Sequence, residues 1–524
     1  MATSNTEKRD VPPTEQNAPT QEDAHLQQVK TRSTAPAQPV SVQEPNEPYS
    51  VYTPGQKWAI VSLISLGGLF SPLSANIYFP AIPTLADDFH KSLELINLTV
   101  TMYMIFQGLS PTFWGTMADR YGRRMMFAAC LILLSLSCVG LALTPTNAYW
   151  LLMVLRCVQA AGSASTIALS AGVVVDIADV HERGGFFGVA NLGPMSHSFV
   201  SDMKATQLAY RPAIGPVLGG ALSGGLGWRS IFWFLCIASG ACALVILLFL
   251  PETLRALVGD GRYRAPHYAR PWLPLLYRGT DAARLAGPRP KFRNPLRLLL
   301  QPDILVLLLC NSMINSILYA ATTSMANLFP DIYPYLGDTT LGLCFLTIGG
   351  GMAIGTVLVG RVLDADYARY ERKVEKKARL EGREAGAGQF PIEKARLRLV
   401  VPTFIILIIV TVGLGWCYEA RTHIAAPLIL LFLNGMMTIA LMNMTQTLIV
   451  DLMPKQGASI TACNNLLRCL IAAGFVSVLA LMFDSMGPGW TFVLIDGIAV
   501  LFYLPGMLYV LKVGPKRRLM RASA

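Results

Sequence analysis

The sequence has little charge for its length. Charged residues make up 14% of the 524 residues and hydrophobic residues 53%, whereas about a quarter of the residues of a typical soluble domain are charged. This balance excludes an ordinary soluble protein and predicts a chain that crosses a membrane many times. The net charge of +11 does not indicate a nucleic-acid partner, because the basic residues are concentrated in loops on one side of the predicted membrane.

Motifs for catalysis, metal binding and nucleotide binding are also missing. The sequence has no G-x(4)-G-K-[ST] loop, so nothing supports pumping driven by ATP, and it has neither a cluster of His and Cys nor a nucleophile elbow. The ten cysteines all fall in apolar segments, where thiols act as small hydrophobic groups, so we predict neither disulfides nor a metal site. These absences leave a membrane enzyme without support and predict a protein without a cofactor.

What the sequence does contain is a series of apolar windows of about 20 residues, the length that crosses a bilayer as a helix. They predict an all-α membrane protein with twelve transmembrane helices in two six-helix, pseudo-symmetric halves. The predicted domains are a disordered cytosolic tail (1–50), a first bundle (51–250), a basic cytosolic linker (251–300), a second bundle (301–511) and a basic cytosolic tail (512–524). The predicted spans are 57–80, 95–114, 125–144, 149–172, a fifth within 186–220, 229–250, 303–328, 339–362, 400–418, 425–450, 457–482 and 489–511.

Lysine and arginine are distributed unevenly between the connections. The linker 251–300 and the segment 369–398 hold ten basic residues each, whereas the odd-numbered connections hold only Lys91, Arg229 and Arg421. The positive-inside rule therefore places both termini and the even-numbered loops in the cytosol.

The fifth predicted span is interrupted. Its two apolar halves, 186–195 and 212–220, are separated by the polar segment 196–211, which carries Asp202 and Lys204. A polar segment in hydrocarbon would leave backbone groups and charges unpaired. Two interpretations stay open: a real re-entrant or extracellular insertion, or a translated intron from an incorrect gene model, which we favour.

The connection between spans 2 and 3 is rich in charge. It holds two glycines, one carboxylate and three arginines, at Gly115, Asp119, Arg120, Gly122, Arg123 and Arg124. Arginines alone would fit a positive-inside anchor of any membrane protein. The ordered pattern resembles the G-x(3)-D-R-x-G-R-R/K loop of the major facilitator superfamily, and this resemblance implies a gating loop. Gly115–Asp119 is echoed after span 8 by Gly360–Asp364, and Asp176–Arg183 after span 4 is echoed after span 10 by Asp451–Gly457. Such paired echoes are typical of transporters built from repeats.

Two arginines fall inside predicted spans: Arg156, with Gln159, in span 4, and Arg468, with Asn464 on the same helix face, in span 11. A guanidinium in a membrane is costly unless it faces a wet cavity or a partner. The alternatives are an interfacial position for Arg156 and a structural contact of Arg468 with a carbonyl or with Asp496. Further polar candidates for the substrate or proton path, each of which could instead be a helix contact, are Asn76, Tyr78, Gln107 and Gln446.

Carboxylates are nearly absent from the middle of the predicted spans, and Asp496 is the deep one. Two intramembrane arginines and one deep carboxylate predict a cavity with a positive potential. Such a cavity suits an organic anion or a neutral molecule better than a cation.

Further segments resemble one fungal family. Leu155–Gly162 is similar to the R-x-x-Q-G motif of helix 4, whose arginine is linked to proton coupling, with Ala160 in the place of the glycine. The antiporter motif G-P-x-x-G-G is matched at Gly215, Pro216, Gly219 and Gly220. Together with five further segments, these motifs resemble the fungal twelve-spanner drug:proton antiporter family, in its branch of quinidine-resistance-type and citrate exporters. The five segments are Phe70–Pro80, Leu95–Val100, Gly227–Phe234, Leu250–Arg255 and Ala462–Cys469.

The resemblance implies a plasma-membrane carrier that works by alternating access and exchanges its solute for protons. We predict a monomer that exports a small organic acid, such as a citrate-like or acidic secondary metabolite, with the solute, protons and the bilayer as its partners. The alternative within the same fold is broad export of xenobiotics. A non-transporting nutrient receptor usually has a long cytosolic extension, and the segment between spans 8 and 9 is short for that role.

Overall fold

The computed structural model describes residues 49–179, 211–273, 275–276, 295–380, 392–452 and 457–523. Long helices dominate this part of the chain. They are α1 (Pro54–Gly68), α2 (Phe70–Asn76), α3 (Ile82–Phe89), α4 (Leu93–Tyr121), α5 (Arg123–Ala142), α6 (Tyr149–Ile177), α7 (Arg211–Leu226), α8 (Arg229–Phe249), α9 (Pro302–Ile332), α10 (Asp338–Leu380), α11 (Val400–Glu419), α12 (Ala425–Leu452) and α13 (Gly457–Ser523).

Nine helical stretches of the described residues are long and apolar enough to cross a membrane. One of them, Ile460–Arg518, holds the last two predicted spans. The two spans are separated by an interruption of α13 at Gly487, which has φ 78° and is followed by Pro488. Helices α4 and α7 occupy the places of predicted spans 2 and 5. The polar residues of α4 and the short length of α7 keep both outside the nine. The described part of the chain is therefore built of helices, and the protein is a multi-pass membrane protein.

The structure leaves some predicted segments outside its description and extends some predicted helices. Residues 1–48, the first half of the fifth span (186–195) and nearly all of the segment 196–211 lie outside the described residues. Helix α4 continues to Tyr121, so most of the predicted loop between spans 2 and 3 is the last two turns of a helix. Helix α10 likewise continues to Leu380 and α13 to Ser523, beyond the predicted ends at 362 and 511.

The two halves meet along two helix pairs. Helix α4 lies against α13, where a Cβ atom added at Gly108 would be 3.2 Å from Cβ of Cys469. Helix α7 lies against α10, and there an added Cβ at Gly342 would be only 2.6 Å from the carbonyl oxygen of Pro216. Small residues allow such close approach between helices in a membrane, where packing stabilises association.

Candidate functional site

Arg156 is fully buried on α6 and is enclosed by aromatic rings. Its Cζ lies 4.1 Å from the ring centroid of Tyr78 and 4.3 Å from that of Tyr103. A desolvated cation–π contact contributes about 2 kcal/mol. The two rings therefore offset part of the cost of burying this charge.

The rings are held in place by hydroxyl groups from three other positions. The hydroxyl of Tyr78 is 3.0 Å from Oγ1 of Thr99. The hydroxyl of Tyr103 is 2.8 Å from Oγ of Ser74 and 2.7 Å from Oγ of Ser163. These contacts join α2, α4 and α6, so the position of the aromatic pair depends on the packing of these three helices. Tyr103 is a residue that the sequence reasoning missed.

The guanidinium of Arg156 keeps hydrogen-bonding capacity. Its Nη1 donates to Oε1 of Gln159 at 2.6 Å, and Nε2 of Gln159 donates to the Cys138 sulfur at 3.5 Å. Within the described part of the chain, Nε and Nη2 of Arg156 have no hydrogen-bond partner. A buried cation with two unused donors favours a group that brings negative charge and acceptor oxygens.

The second arginine belongs to a contact between the halves. Nη2 of Arg468 donates to Oδ1 of Asn465 at 3.1 Å, and Nδ2 of Asn465 donates to the backbone carbonyl of Gln107 at 3.0 Å. Asn465 thus links α13 to α4 and also contacts Arg468. Asp496, considered above as a partner of Arg468, instead accepts a hydrogen bond from Oγ1 of Thr411 at 2.5 Å.

The remaining polar candidates have mostly local partners. Nδ2 of Asn464 donates to Oε1 of Gln446 at 3.0 Å, and its Oδ1 accepts from Nδ2 of Asn311 at 2.8 Å. Asn76 donates to the carbonyl of Pro72 in its own helix at 2.8 Å. The structure therefore brings Asn464 and Gln446 together, whereas Asn76 is bonded within the first span. The side-chain oxygen of Gln107 is buried and has no hydrogen-bond partner among the described residues.

The glycines at the predicted antiporter motif form two close contacts. Gly215 and Gly219 face the first span, where an added Cβ would approach Asn76 and Ile77. Gly220 and Pro216 face α10, where an added Cβ at Gly220 would collide with the carbonyl of Asp338. Near this contact, one carboxylate oxygen of Asp338 accepts from Oγ of Ser223 at 2.7 Å and from Oγ1 of Thr84 at 2.9 Å.

These contacts close one end of the molecule, which we call the Asp338 end. Thr84 and Ser223 belong to the first half and Asp338 to the second, so the two hydrogen bonds cross between the halves. The rings of Phe79 and Phe345 stack with centroids 6.2 Å apart and add an apolar contact there. The structure thus shows the conformation in which the halves are joined at this end.

Comparison with known proteins identifies the family to which the chain belongs. The family model described as Major Facilitator Superfamily matches residues 64–476. The chain belongs to the major facilitator superfamily. It is 37% identical to citrate exporter 1 of Aspergillus niger over 482 residues, which cover 88% of this chain and 87% of that protein. It is 33% identical to the MFS antiporter QDR2 of Candida albicans, over 90% of this chain and 91% of that protein.

A solved structure supports the fold. The human organic anion transporter MFSD10 (TETRAN) matches with a TM-score of 0.54 and 17% identity, over 85% of this chain and 98% of that chain. The predicted resemblance to the quinidine-resistance and citrate-exporter branch is confirmed by the fungal relatives. The protein is therefore a transporter of the major facilitator superfamily that carries a small-molecule substrate.

The loop motif of this superfamily is organised around Glu252, a residue of the segment Leu250–Arg255 that the sequence alone did not identify as a site residue. Its buried carboxylate accepts from the backbone N–H groups of Arg123 and Arg124 at 2.8 and 3.3 Å, at the first turn of α5. It also accepts from the N–H groups of Thr253 and Leu254 at 3.0 Å. A carboxylate at a helix N-terminus satisfies free donors and opposes the positive end of the helix dipole.

Gly122 is required by this arrangement for two reasons. Its φ of 113° is unfavourable for other residues, and an added Cβ would collide with the Glu252 carboxylate. Burial raises the pKa of Glu252 above its ordinary value, against the backbone N–H groups that favour the anion. The turn between α4 and α5 is thus built by one glycine and one distant carboxylate.

The arginines of the motif have different partners. Arg123 lies between Asp119, at 2.8 Å, and Asp176 at the end of α6, at 3.1 Å. Arg124 is buried and donates from Nη2 to the carbonyl of Leu247 at 2.5 Å. The side chain of Asp119 is half exposed, and Arg120 is exposed. A Cβ atom added at Gly115 would meet nothing within 4 Å.

Proposed function

We propose that this transporter exports a small organic acid in exchange for protons. The observation that carries the proposal is the buried Arg156 guanidinium, which stacks on two tyrosine rings and keeps two donors unused. Arginine binds carboxylates through its planar pair of donors, and a cationic substrate would be repelled by the same group. The sequence similarity to a citrate exporter supports a citrate-like acid as the substrate.

The transport cycle rests on movement between the two halves. The contacts of Asp338, Gly220 and Gly342 hold the molecule closed at the Asp338 end in this conformation. Separation of α7 from α10 would open that end and bring the substrate path into contact with the other side. We propose that Asp119, which pairs with Arg123 here, joins the two halves at the opposite end when the Asp338 end is open.

The charge distribution supports an orientation and a location. The basic linker and the basic segment 369–398 support a cytosolic position for the loop motif, Glu252 and both termini, with the Asp338 end facing outward. The fungal exporters among the relatives support the plasma membrane. We propose a monomer that needs the solute, protons and the bilayer, without a nucleic-acid partner.

Export of a broad range of drugs is the second candidate. The aromatic rings of Tyr78 and Tyr103 could stack on flat apolar molecules, and the similarity to QDR2 supports this alternative. The two functions are separated by expressing the chain in a yeast host that lacks its own drug exporters. An acid exporter raises the secreted citrate-like acids and leaves drug susceptibility unchanged, whereas a drug exporter raises resistance and leaves the secreted acids unchanged.

A further inference from the structure

We infer that Asp496 is the group that binds and releases the exchanged proton, an inference that rests on the proposed proton exchange. Asp496 lies seven residues after Gly489 in the last span, about 10 Å along the helix, within a hydrocarbon layer about 30 Å thick. It is 1% exposed. The other carboxylates of the described spans lie near helix ends or beyond the predicted membrane segment.

The surroundings of Asp496 do not compensate a permanent charge. Oγ1 of Thr411 donates to Oδ2 at 2.5 Å, and Oδ1 has no hydrogen-bond partner among the described residues. Among the hydrogen bonds and ion pairs of the described residues, the Thr411 hydroxyl is the one partner of this carboxylate. An isolated carboxylate in such a place is costly as an anion, and this cost favours the neutral acid in this conformation.

The second half also holds other buried polar groups without a protein partner. Thr323 and Asn327 on α9, and Asn434 and Thr438 on α12, are at least nine-tenths buried, and their side chains have no hydrogen-bond partner among the described residues. Polar atoms of this kind in proteins bond to internal water. Opening of the two sides in turn would let the Asp496 carboxylate take up a proton from one side and release it to the other.

A purely structural role makes a different prediction. An asparagine at position 496 keeps the oxygen that accepts from Thr411 but cannot carry a proton. A structural aspartate would therefore be replaced by asparagine without loss of coupling, whereas a proton carrier would not.

The experiment uses the full chain in liposomes and labelled citrate. Exchange of citrate for citrate at equal pH needs no net proton movement, whereas accumulation driven by a pH gradient does. Asp496→Asn should keep the exchange rate within about two-fold of the wild type and lose at least ten-fold of the gradient-driven accumulation. Gradient-driven accumulation that persists in Asp496→Asn would overturn the inference.

A second variant decides the matter if Asp496→Asn fails to fold. Thr411→Val removes the one hydroxyl that stabilises the anion, so the pH profile of gradient-driven transport should move toward higher pH by about one unit. Thr403→Val on the same helix is the matched control, because its hydroxyl oxygen lies 2.7 Å from the backbone carbonyl of Leu399, much as that of Thr411 lies 2.9 Å from the carbonyl of Leu407, but it has no carboxylate partner among the hydrogen bonds of the described residues. An unshifted profile in Thr411→Val would refute the role of Asp496.

Failure of the underlying function gives a different result. If the wild type moves citrate in neither assay, the proposed export of organic acids fails and the inference falls with it. If the wild type exchanges citrate but ignores the pH gradient, proton coupling alone fails.

Discussion

The contact between Gly220 and α10 gives a direct test of the closed Asp338 end. Substitution Gly220→Ala adds one methyl group where the carbonyl of Asp338 already lies, and the Cα of Gly342 would be 2.9 Å from the new carbon. Both neighbours are backbone atoms, which cannot move aside as a flexible side chain can. The helices must therefore separate locally for the alanine to fit.

The magnitude follows from the cost of overpacking, which is about 1–3 kcal/mol. In the open conformation α7 and α10 are apart, so this cost applies to the closed conformation alone. Because about 1.4 kcal/mol corresponds to a tenfold change in an equilibrium, the closed population should fall by about 5- to 150-fold relative to the open one. Only a difference between the two states shifts the population.

Distances between spin labels measure this shift. Labels at Leu226→Cys, whose parent residue is 77% exposed, and at Gly337→Cys, where there is open space, report the separation of α7 and α10 once the native cysteines have been replaced. We expect a longer distance to appear in Gly220→Ala. The control is Gly225→Ala on the same helix, where an added Cβ meets nothing within 4 Å. Identical distance distributions in the two variants would refute the reasoning.

Three further predictions concern the cation and the loop motif. Arg156→Lys keeps the charge but loses the planar donors and the stacking. Citrate transport should therefore fall about ten-fold or more while thermal stability in detergent is retained. Normal transport would contradict the role of the guanidinium. Asp119→Asn should slow transport without lowering membrane insertion, as measured by flux and by protein yield, and an unchanged flux would count against the proposed contact at that end. Because the folded-state pKa of Glu252 is raised, its contribution to stability is largest at acidic pH and declines as pH rises through that pKa. The melting temperature of the wild type relative to Glu252→Gln should therefore decrease with rising pH. A difference in melting temperature that is independent of pH would contradict this prediction.

Much of the fold was predictable from local sequence. Apolar windows identify spans because a helix satisfies its own backbone in lipid, and the three-residue spacing of Arg156 and Gln159 predicts neighbours on one face, which are bonded at 2.6 Å. The ends of helices were less predictable. Asp119 and Arg120 suggested a loop, yet the helix continues through them to Tyr121 and stops at Gly122.

The contacts made by residues distant in sequence could not be predicted. Tyr103 is one aromatic residue among many in the spans, and its partners Ser74 and Ser163 come from other helices. Glu252 accepts a hydrogen bond from the backbone N–H of Arg123, which lies 129 residues away in the sequence. The role of Arg156 and Arg468 in the substrate or proton path stays a prediction.

Accumulation of labelled citrate in liposomes under an imposed pH gradient is the most direct test of the central claim. We expect saturable accumulation that requires the gradient, is competed by other polycarboxylates and is lost in Arg156→Gln. Citrate that stays outside while a cationic drug is moved by the same protein would contradict it.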